Sequence, residues 1–254
     1  MPWDPQRYEQ FKAERAAPFE DLLALINVRE GMSVIDLGCG PGPLTKRLAD
    51  ALPGSDVLGI DSSEEMLASA QELACAGLRF EQRAIEDVAG ETDTFDLVFS
   101  HAAIHWLPDH GALIPKLLSI VRPGGQLAVQ MPSNFSHPTH TIIDEVGAEE
   151  PFKSGLSAYV RSWSVLGVEQ YADLLFASGA TEQTVFEKVY PHVLEDADAL
   201  ADWMSGTALV PYMERLPDEL HEQFMDAYRQ RLRETFTQTP VFFGFRRILF
   251  VASR

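Results

Sequence analysis

Apolar positions in the first half of the chain come in short runs. SVIDLG (33–38), DVLGID (56–61), LRFEQR (78–83), FDLVFS (95–100) and QLAVQMP (126–132) each read as a strand. Between them, LTKRLADAL (44–52), SSEEMLASAQELA (62–74) and HGALIPKLLSIV (110–121) repeat their apolar residues with a helical period, and RPGG (122–125) reads as a turn. Ser62 followed by Glu65 gives the second of these helices a capping-box pattern. Strands alternating with helices predict βαβ units, hence a parallel sheet with helices on both faces. Ligands of such sheets bind beyond the carboxyl ends of the strands.

The flanking regions read differently. Residues 5–26 have apolar side chains at roughly helical spacing, broken at Pro18, and residues 133–165 show no dominant period. Residues 168–179 predict a helix and 181–190 a strand. Residues 196–236 predict two or three helical segments separated near Pro211 and Pro217, and FFGFRRILFVA (242–252) predicts a last strand. The expected architecture is α/β: a Rossmann-like, seven-stranded, mostly parallel sheet with helices on both faces and a helical insertion before the last strand. Its expected divisions are an N-terminal helical lid (1–30), a core (31–195 and 237–254) and an insertion over the acceptor site (196–236).

Charge and composition narrow the function. The 254 residues suit one domain with an insertion, and the net charge is -18, from 38 acidic and 20 basic side chains. That field repels phosphate backbones, and no Lys/Arg cluster offsets it, so nucleic acid is not expected as a partner. A cationic ligand suits an acidic field, though a solvated surface explains it equally well. No uncharged run approaches the roughly 18 residues of a membrane span. The opening MPWDPQRYEQ lacks the pattern of a signal peptide, which makes the cytoplasm the expected location. Cys39 and Cys75 are the two cysteines and belong to no metal-spacing motif. His137 and His140 flank Pro138 without a third ligand at metal spacing, so no metal is expected.

The chemistry concentrates in VIDLGCGPGP (34–43). Gly38, Gly40 and Gly42 follow a strand and precede a helix, the context in which bare backbone meets a nucleotide-type ligand. The dinucleotide fingerprint G-x-G-x-x-G requires a glycine where Pro43 stands. Pro41 and Pro43 also lack the N–H groups that grip a pyrophosphate. The loop suits a nucleoside without phosphates, such as S-adenosylmethionine. Asp61 ends the second strand about 20 residues on, where an acid takes both ribose hydroxyls; a plain helix-capping role is the alternative. Asp36 either steers a ligand's ammonium group or braces the turn.

VIDLGCGPG, the acid of GIDSS and FDLVFSHAAIHWLPDH together resemble the class I methyltransferases that use S-adenosylmethionine. WDPQRYEQFKAERAAPFEDLL (3–23), HWLPDHGALIPKLLSIVRPGGQLAVQMPSNFSHPTH (105–140) and GFRRILFVASR (244–254) are similar to the members of that class that methylate trans-aconitate. The resemblance implies a cofactor set of Asp36, Gly38, Cys39, Gly40, Gly42, Asp61, Ser62, Met66, Ile85, Glu86 and Ser100. It adds an N-terminal lid bearing Tyr8, Phe11 and Arg15. That family carries an acid for the adenine amino group where this chain has Ala84. Here adenine would rest on backbone at Ile85 or reach Glu86 or Asp87. The family also carries glutamine where this chain has His105.

Methyl transfer requires the nucleophile, methyl carbon and sulfur in line. A carboxylate acceptor is already ionised at neutral pH and requires no base, only groups that hold an anion. Arg246 is expected in that role, with Tyr212 and Asn134 beside it, because arginine grips carboxylates bidentately. Arg161 and Arg247 read as surface ion pairs with the many acids. His105 and Trp106 border the expected transfer site. Trp106 packs on cofactor or acceptor, or into the core. His105 donates a hydrogen bond to an anionic acceptor, or acts as base toward a hydroxyl or amine. The expected activity is esterification of a small polycarboxylic acid such as trans-aconitate. The alternatives are a hydroxyl, amine or acyl-carrier-bound carboxyl acceptor, and cofactor binding without catalysis.

Overall fold

A computed structural model describes residues 12–89, 94–157, 159, 161 and 163–254, with backbone alone for 12–16. Two compact units divide the chain. The first comprises Ala17–Ser133, Ser164–Lys188 and Arg247–Arg254; the second includes Asn134–Trp163 and Val189–Arg246.

The elements run α1 (Lys12–Leu23), β1 (Ser33–Leu37), α2 (Pro43–Ala51), β2 (Asp56–Asp61), α3 (Glu64–Gln71), β3 (Leu78–Gln82), α4 (Ile85–Val88), β4 (Phe95–His101), α5 (His110–Ser119) and β5 (Val121–Pro132). They continue with α6 (Pro138–Gly147), α7 (Phe152–Gly155), α8 (Val168–Ala177), β6 (Glu182–Leu194), α9 (Ala197–Ser205), α10 (Val210–Met213), α11 (Asp218–Thr235) and β7 (Val241–Ser253). The seven strands form one sheet in the order β3-β2-β1-β4-β5-β7-β6. Strands β1 to β5 pair in parallel, and β7 runs antiparallel to β5 with Gln130 opposite Leu249. The order reverses between β1 and β4, and a sheet of this kind opens a crevice at such a switch point, outside the strand ends.

The two-residue period of a strand explains the cores of the first unit. Ile35 and Leu37 point into one apolar cluster with Ile114, Leu117, Tyr171 and Phe250, while Val34 joins Phe19, Leu22, Leu48, Val57 and Leu249 in another. Each face of the sheet is thereby covered by helices, and the central strands read as continuous apolar runs because neither face meets water. The second unit has its own core. Phe224, Tyr228 and Leu232 recur every four residues along α11 and pack with Val146, Leu200, Met204 and Tyr212.

Three local features depart from the expected elements. The helix after β2 starts one residue later than the Ser62–Glu65 pattern implied: Ser63 is its N-cap, with Oγ accepting from Met66 N at 3.3 Å. RPGG belongs to the long strand β5. The stretch without a period holds α6 and α7, whose short lengths mask a helical repeat.

A buried polar relay anchors the segment after β4. His110 is 1% exposed; its Nε2 donates to Ile104 O at 2.9 Å and its Nδ1 accepts from the Tyr171 hydroxyl. Burial lowers the His110 pKa, which keeps the ring neutral, as this pattern of one donor and one acceptor requires. The Tyr171 hydroxyl also accepts from Leu166 N at 3.2 Å. Tyr171→Phe strands His110 Nδ1 and Leu166 N, and is expected to cost about 1–3 kcal/mol in urea unfolding; a loss below about 0.5 kcal/mol contradicts the relay.

Candidate active site

The loop after β1 has three left-handed glycines, with φ of 78° at Gly38, 55° at Gly40 and 91° at Gly42. Gly38 has no room for a side chain, since a Cβ there would lie 2.3 Å from Ala103 Cβ. Gly40 is different: a Cβ there would meet nothing within 4 Å, so bare main chain faces open space. Gly38 N and Cys39 N both donate to Ile60 O at 2.9 Å, which pins the loop to the end of β2. Pro43 opens α2, and Gly42 is its N-cap with no side chain to bond the helix.

Asp61 fastens this loop to the next helix. Its Oδ2 accepts from Gly40 N at 2.9 Å and its Oδ1 from Ser63 N at 2.9 Å. The capping alternative therefore holds, and it does not exclude the other role, because each carboxylate oxygen has further acceptor capacity. Asp36 is 4% exposed and accepts from Thr45 Oγ1 at 2.6 Å, bracing strand to helix. Burial, reinforced by the charge of Asp61, raises the Asp36 pKa to about 7, against the lowering effect of the Thr45 bond. Burial and the two acids push the Cys39 thiol well above its ordinary range, so it stays protonated.

The remaining cofactor candidates fall around this loop unevenly. Ser62 is exposed, Met66 half-buried in the first turn of α3, and Glu86 exposed on α4. Ile85 Cδ1 lies 3.8 Å from the position of a Gly38 Cβ, which brings α4 to the loop. Ala84 is the N-cap of α4 and offers no side-chain bond. Ser100 is fully buried and its hydroxyl donates to Leu37 O at 3.2 Å, so it braces β1 from within. Tyr8 and Phe11 lie outside the described residues, as does the side chain of Arg15.

After β4 the chain turns sharply. Ala102 has φ 53°, a left-handed value that a residue with a Cβ adopts only under external constraint, and a 3₁₀ turn follows at Ile104–Trp106. The buried His110 fixes that turn through Ile104 O. His105 packs against Trp106 with ring centroids 4.8 Å apart, and Trp106 is 51% exposed, which removes core packing as its role.

The acceptor candidates lie in the second unit. Asn134 is 0% exposed; its Oδ1 accepts from Arg246 N at 2.9 Å, and Arg246 Nη2 donates to Ser136 Oγ at 2.8 Å. Tyr212 is buried and donates its hydroxyl to Asp144. The expectation of a surface position fails for Arg247. Arg247 is 6% exposed in the first unit, and its Nη1 donates to Gln130 Oε1 at 2.9 Å with that amide turned to suit its neighbours. Arg161 donates to Ala208 O at 2.9 Å and lies 3.5 Å over the ring of Trp163. Sequence reading passed over Thr45, Ala103 and Trp163. Trp163 sits in the stretch without a period, and Thr45 and Ala103 carry no signal of their own.

Residues 28–183 match a family described as "Methyltransferase domain". The trans-aconitate 2-methyltransferase of Deinococcus radiodurans is 44% identical over 100% of this chain and 99% of its own length. The chain belongs to the S-adenosylmethionine-dependent methyltransferases. The Variovorax paradoxus protein of the same name is 37% identical over 100% of this chain and 99% of its own. In fold, the methyltransferase is similar to the YcgJ protein of Bacillus subtilis, with a TM-score of 0.60, 16% identity and coverage of 94% of this chain and 99% of that one. The cofactor S-adenosylmethionine supplies a methyl activated by a positive sulfonium. The features of the loop fit that group: open space beside Gly40, an oriented Asp61 carboxylate and no N–H on the flanking prolines.

Three outcomes are expected. Gly40→Val fills the open side and is expected to weaken S-adenosylhomocysteine binding in calorimetry by about 100-fold or more, about 2.7 kcal/mol. Gly38→Ala instead forces apart β1 and the turn at Ala103, costing about 1–3 kcal/mol of stability. For Asp36, a folded pKa of about 7 against an ordinary 3.8 means that the folded state binds the extra proton. Its stabilising contribution is therefore full at low pH and lost as pH rises from about 4 through about 7. Asp36→Asn removes that slope, and an unchanged slope in pH-dependent urea unfolding contradicts the assignment.

Proposed function

We propose that this methyltransferase esterifies a carboxylate of a small polycarboxylic acid, trans-aconitate or a close analogue. The observation that carries the reading is the end-to-end similarity to proteins named trans-aconitate 2-methyltransferase, at 44% and 37% identity. Gly38, Cys39, Gly40 and Gly42 hold the cofactor by main chain, Asp61 takes its ribose hydroxyls, and Ile85 with Glu86 receives its adenine. Asn134, Arg246 and Tyr212 are assigned to the acceptor, and His105 and Trp106 to the transfer step.

Chemistry at a carboxylate places few demands on side chains. The acceptor oxygen is ionised at neutral pH, so no residue has to remove a proton. The residues orient the acceptor and exclude water, which is where the rate enhancement of such a transfer arises. His105 donates a hydrogen bond to the acceptor rather than taking a proton from it. The net charge of -18 disfavours nucleic acid as a partner. No helix among the described residues is long and apolar enough to cross a membrane. We assign the protein to the cytoplasm.

The test is incubation with methyl-labelled S-adenosylmethionine and a panel of di- and tricarboxylic acids, with labelled esters identified by mass. A labelled trans-aconitate ester is expected, and label on hydroxyl or amine acceptors alone overturns the reading. His105→Gln is expected to lower kcat/KM by less than about tenfold and to leave the rate flat between about pH 6 and about pH 8. A loss of about 100-fold or more, with a histidine-like limb in the wild-type profile, identifies His105 as a general base.

A further inference from the structure

The turn after β4 is held from two sides, both within the first unit. On one side, Ala103 Cβ occupies the space that a side chain at Gly38 would need, so the turn touches the glycine loop. On the other, Ile104 O accepts from Leu107 N and from His110 Nε2, each at 2.9 Å. Trp106 N closes the turn on Ala103 O at 3.2 Å, and Ala102 N donates to Gln130 O at 2.9 Å. Left-handed backbone brackets the segment, with φ of 53° at Ala102 and 52° at Asp109. Aspartate adopts that region readily and alanine does not, so the Ala102 conformation persists only where its surroundings impose it.

His110 on α5 and Tyr171 on α8 stand behind this turn, 1% and 0% exposed. Burial raises the Tyr171 pKa, so its hydroxyl keeps the proton that it donates to His110 Nδ1. Met131 Sδ, 3.3 Å from the same oxygen, is the weaker acceptor. That donation leaves the ring proton on Nε2, where it faces Ile104 O. Leu166 N, just before α8, donates to the Tyr171 oxygen and fixes its place. An apolar core of the same shape could join α5 to α8 about as stably, because replacing both partners of a buried hydrogen bond by apolar groups is nearly neutral. What the polar chain adds is direction: it sets the plane of the His110 ring and, through it, the Ile104 carbonyl.

We propose that His110 and Tyr171 are positioning residues for methyl transfer: acting through Ile104 O, they hold the turn Ala103–Trp106 where His105 and Trp106 serve the transfer step. The inference rests on the assignment of those two residues above and names what sets their placement. Neither positioning residue has to touch cofactor or acceptor. Misplacing a group at the reacting atoms by about 1 Å costs about 100-fold in rate, so a small slackening of the turn is read in kcat. The glycine loop keeps its own bonds to Asp61 and Ile60 O, so cofactor affinity does not depend on the relay.

The test uses the full chain and two readouts: kcat on whichever acceptor the wild type methylates, and amide hydrogen exchange across 102–109 with S-adenosylhomocysteine bound. Tyr171→Phe and His110→Asn are expected to lower kcat by about tenfold or more. Both are expected to speed exchange at Trp106 N and Leu107 N by about tenfold or more. His110→Gln puts an amide N–H near the place of Nε2 and is expected to keep kcat within about threefold of wild type. S-adenosylhomocysteine affinity is expected to stay within about twofold in all three. Leu175, one turn along α8 in the same core cluster, is the control: Leu175→Val is expected to lower the urea midpoint as Tyr171→Phe does and to keep kcat within about twofold. If His110→Asn does not fold, Tyr171→Phe and His110→Gln decide. Unchanged exchange in the folded variants, or an equal loss of kcat in Leu175→Val, overturns the inference. Faster exchange with unchanged kcat also overturns it, and Trp106→Ala then locates the fault. If Trp106→Ala lowers kcat, the relay is not what positions the turn; if it does not, the assignment of the turn to the transfer step is wrong.

Discussion

One carboxylate ties together the parts of the methyltransferase proposed to face its cofactor. Asp61 accepts from Gly40 N with one oxygen and from Ser63 N with the other, each at 2.9 Å. The first bond holds the glycine loop in left-handed backbone, and the second sets the start of α3. Both donors are main chain, so the geometry is fixed without a second side chain entering the space. Gly38 N and Cys39 N add a further hold on Ile60 O, one residue before Asp61. The loop is therefore rigid because its polar groups are spoken for, while the side of Gly40 remains bare. A preorganised concave surface of this kind binds a nucleoside with little ordering cost.

Charge divides the molecule's tasks in a similar way. With 38 acidic side chains against 20 basic ones, most surface fields repel anions. An enzyme that accepts an anionic substrate has to concentrate its cations. Arg161 and Arg246 are set among aromatic rings, a buried amide and neutral histidines. Burial first, and then the nearby positive charges, keep His140 neutral, so it contributes hydrogen bonding rather than charge.

The parallel half of the fold was legible in the sequence because both faces of its strands are buried. Continuous apolar runs such as VIDL and DLVF leave few alternatives, and the glycines between β1 and α2 mark the switch point. The helix start at Ser63 was misplaced by one residue because Ser62 and Ser63 offer the same chemistry and only backbone geometry separates them. Residues 133–165 were opaque: α6 and α7 are ten and four residues long, too short to display a repeat. That stretch contains Asn134, Arg161 and Trp163, so the cluster it builds could not be seen before its contacts were known. Arg247 illustrates a related limit. Composition in an acidic chain suggests surface pairing, yet its place on a strand between buried neighbours puts it at 6% exposure.

The account depends on bare main chain at Gly40, set by Asp61, receiving the nucleoside end of the cofactor. A crystal structure with S-adenosylhomocysteine tests this most directly. It is predicted to place the ribose hydroxyls on the Asp61 carboxylate with the Gly40 backbone in van der Waals contact. Density for the ligand elsewhere, or displacement of the ligand by a pyridine dinucleotide at this loop, contradicts it.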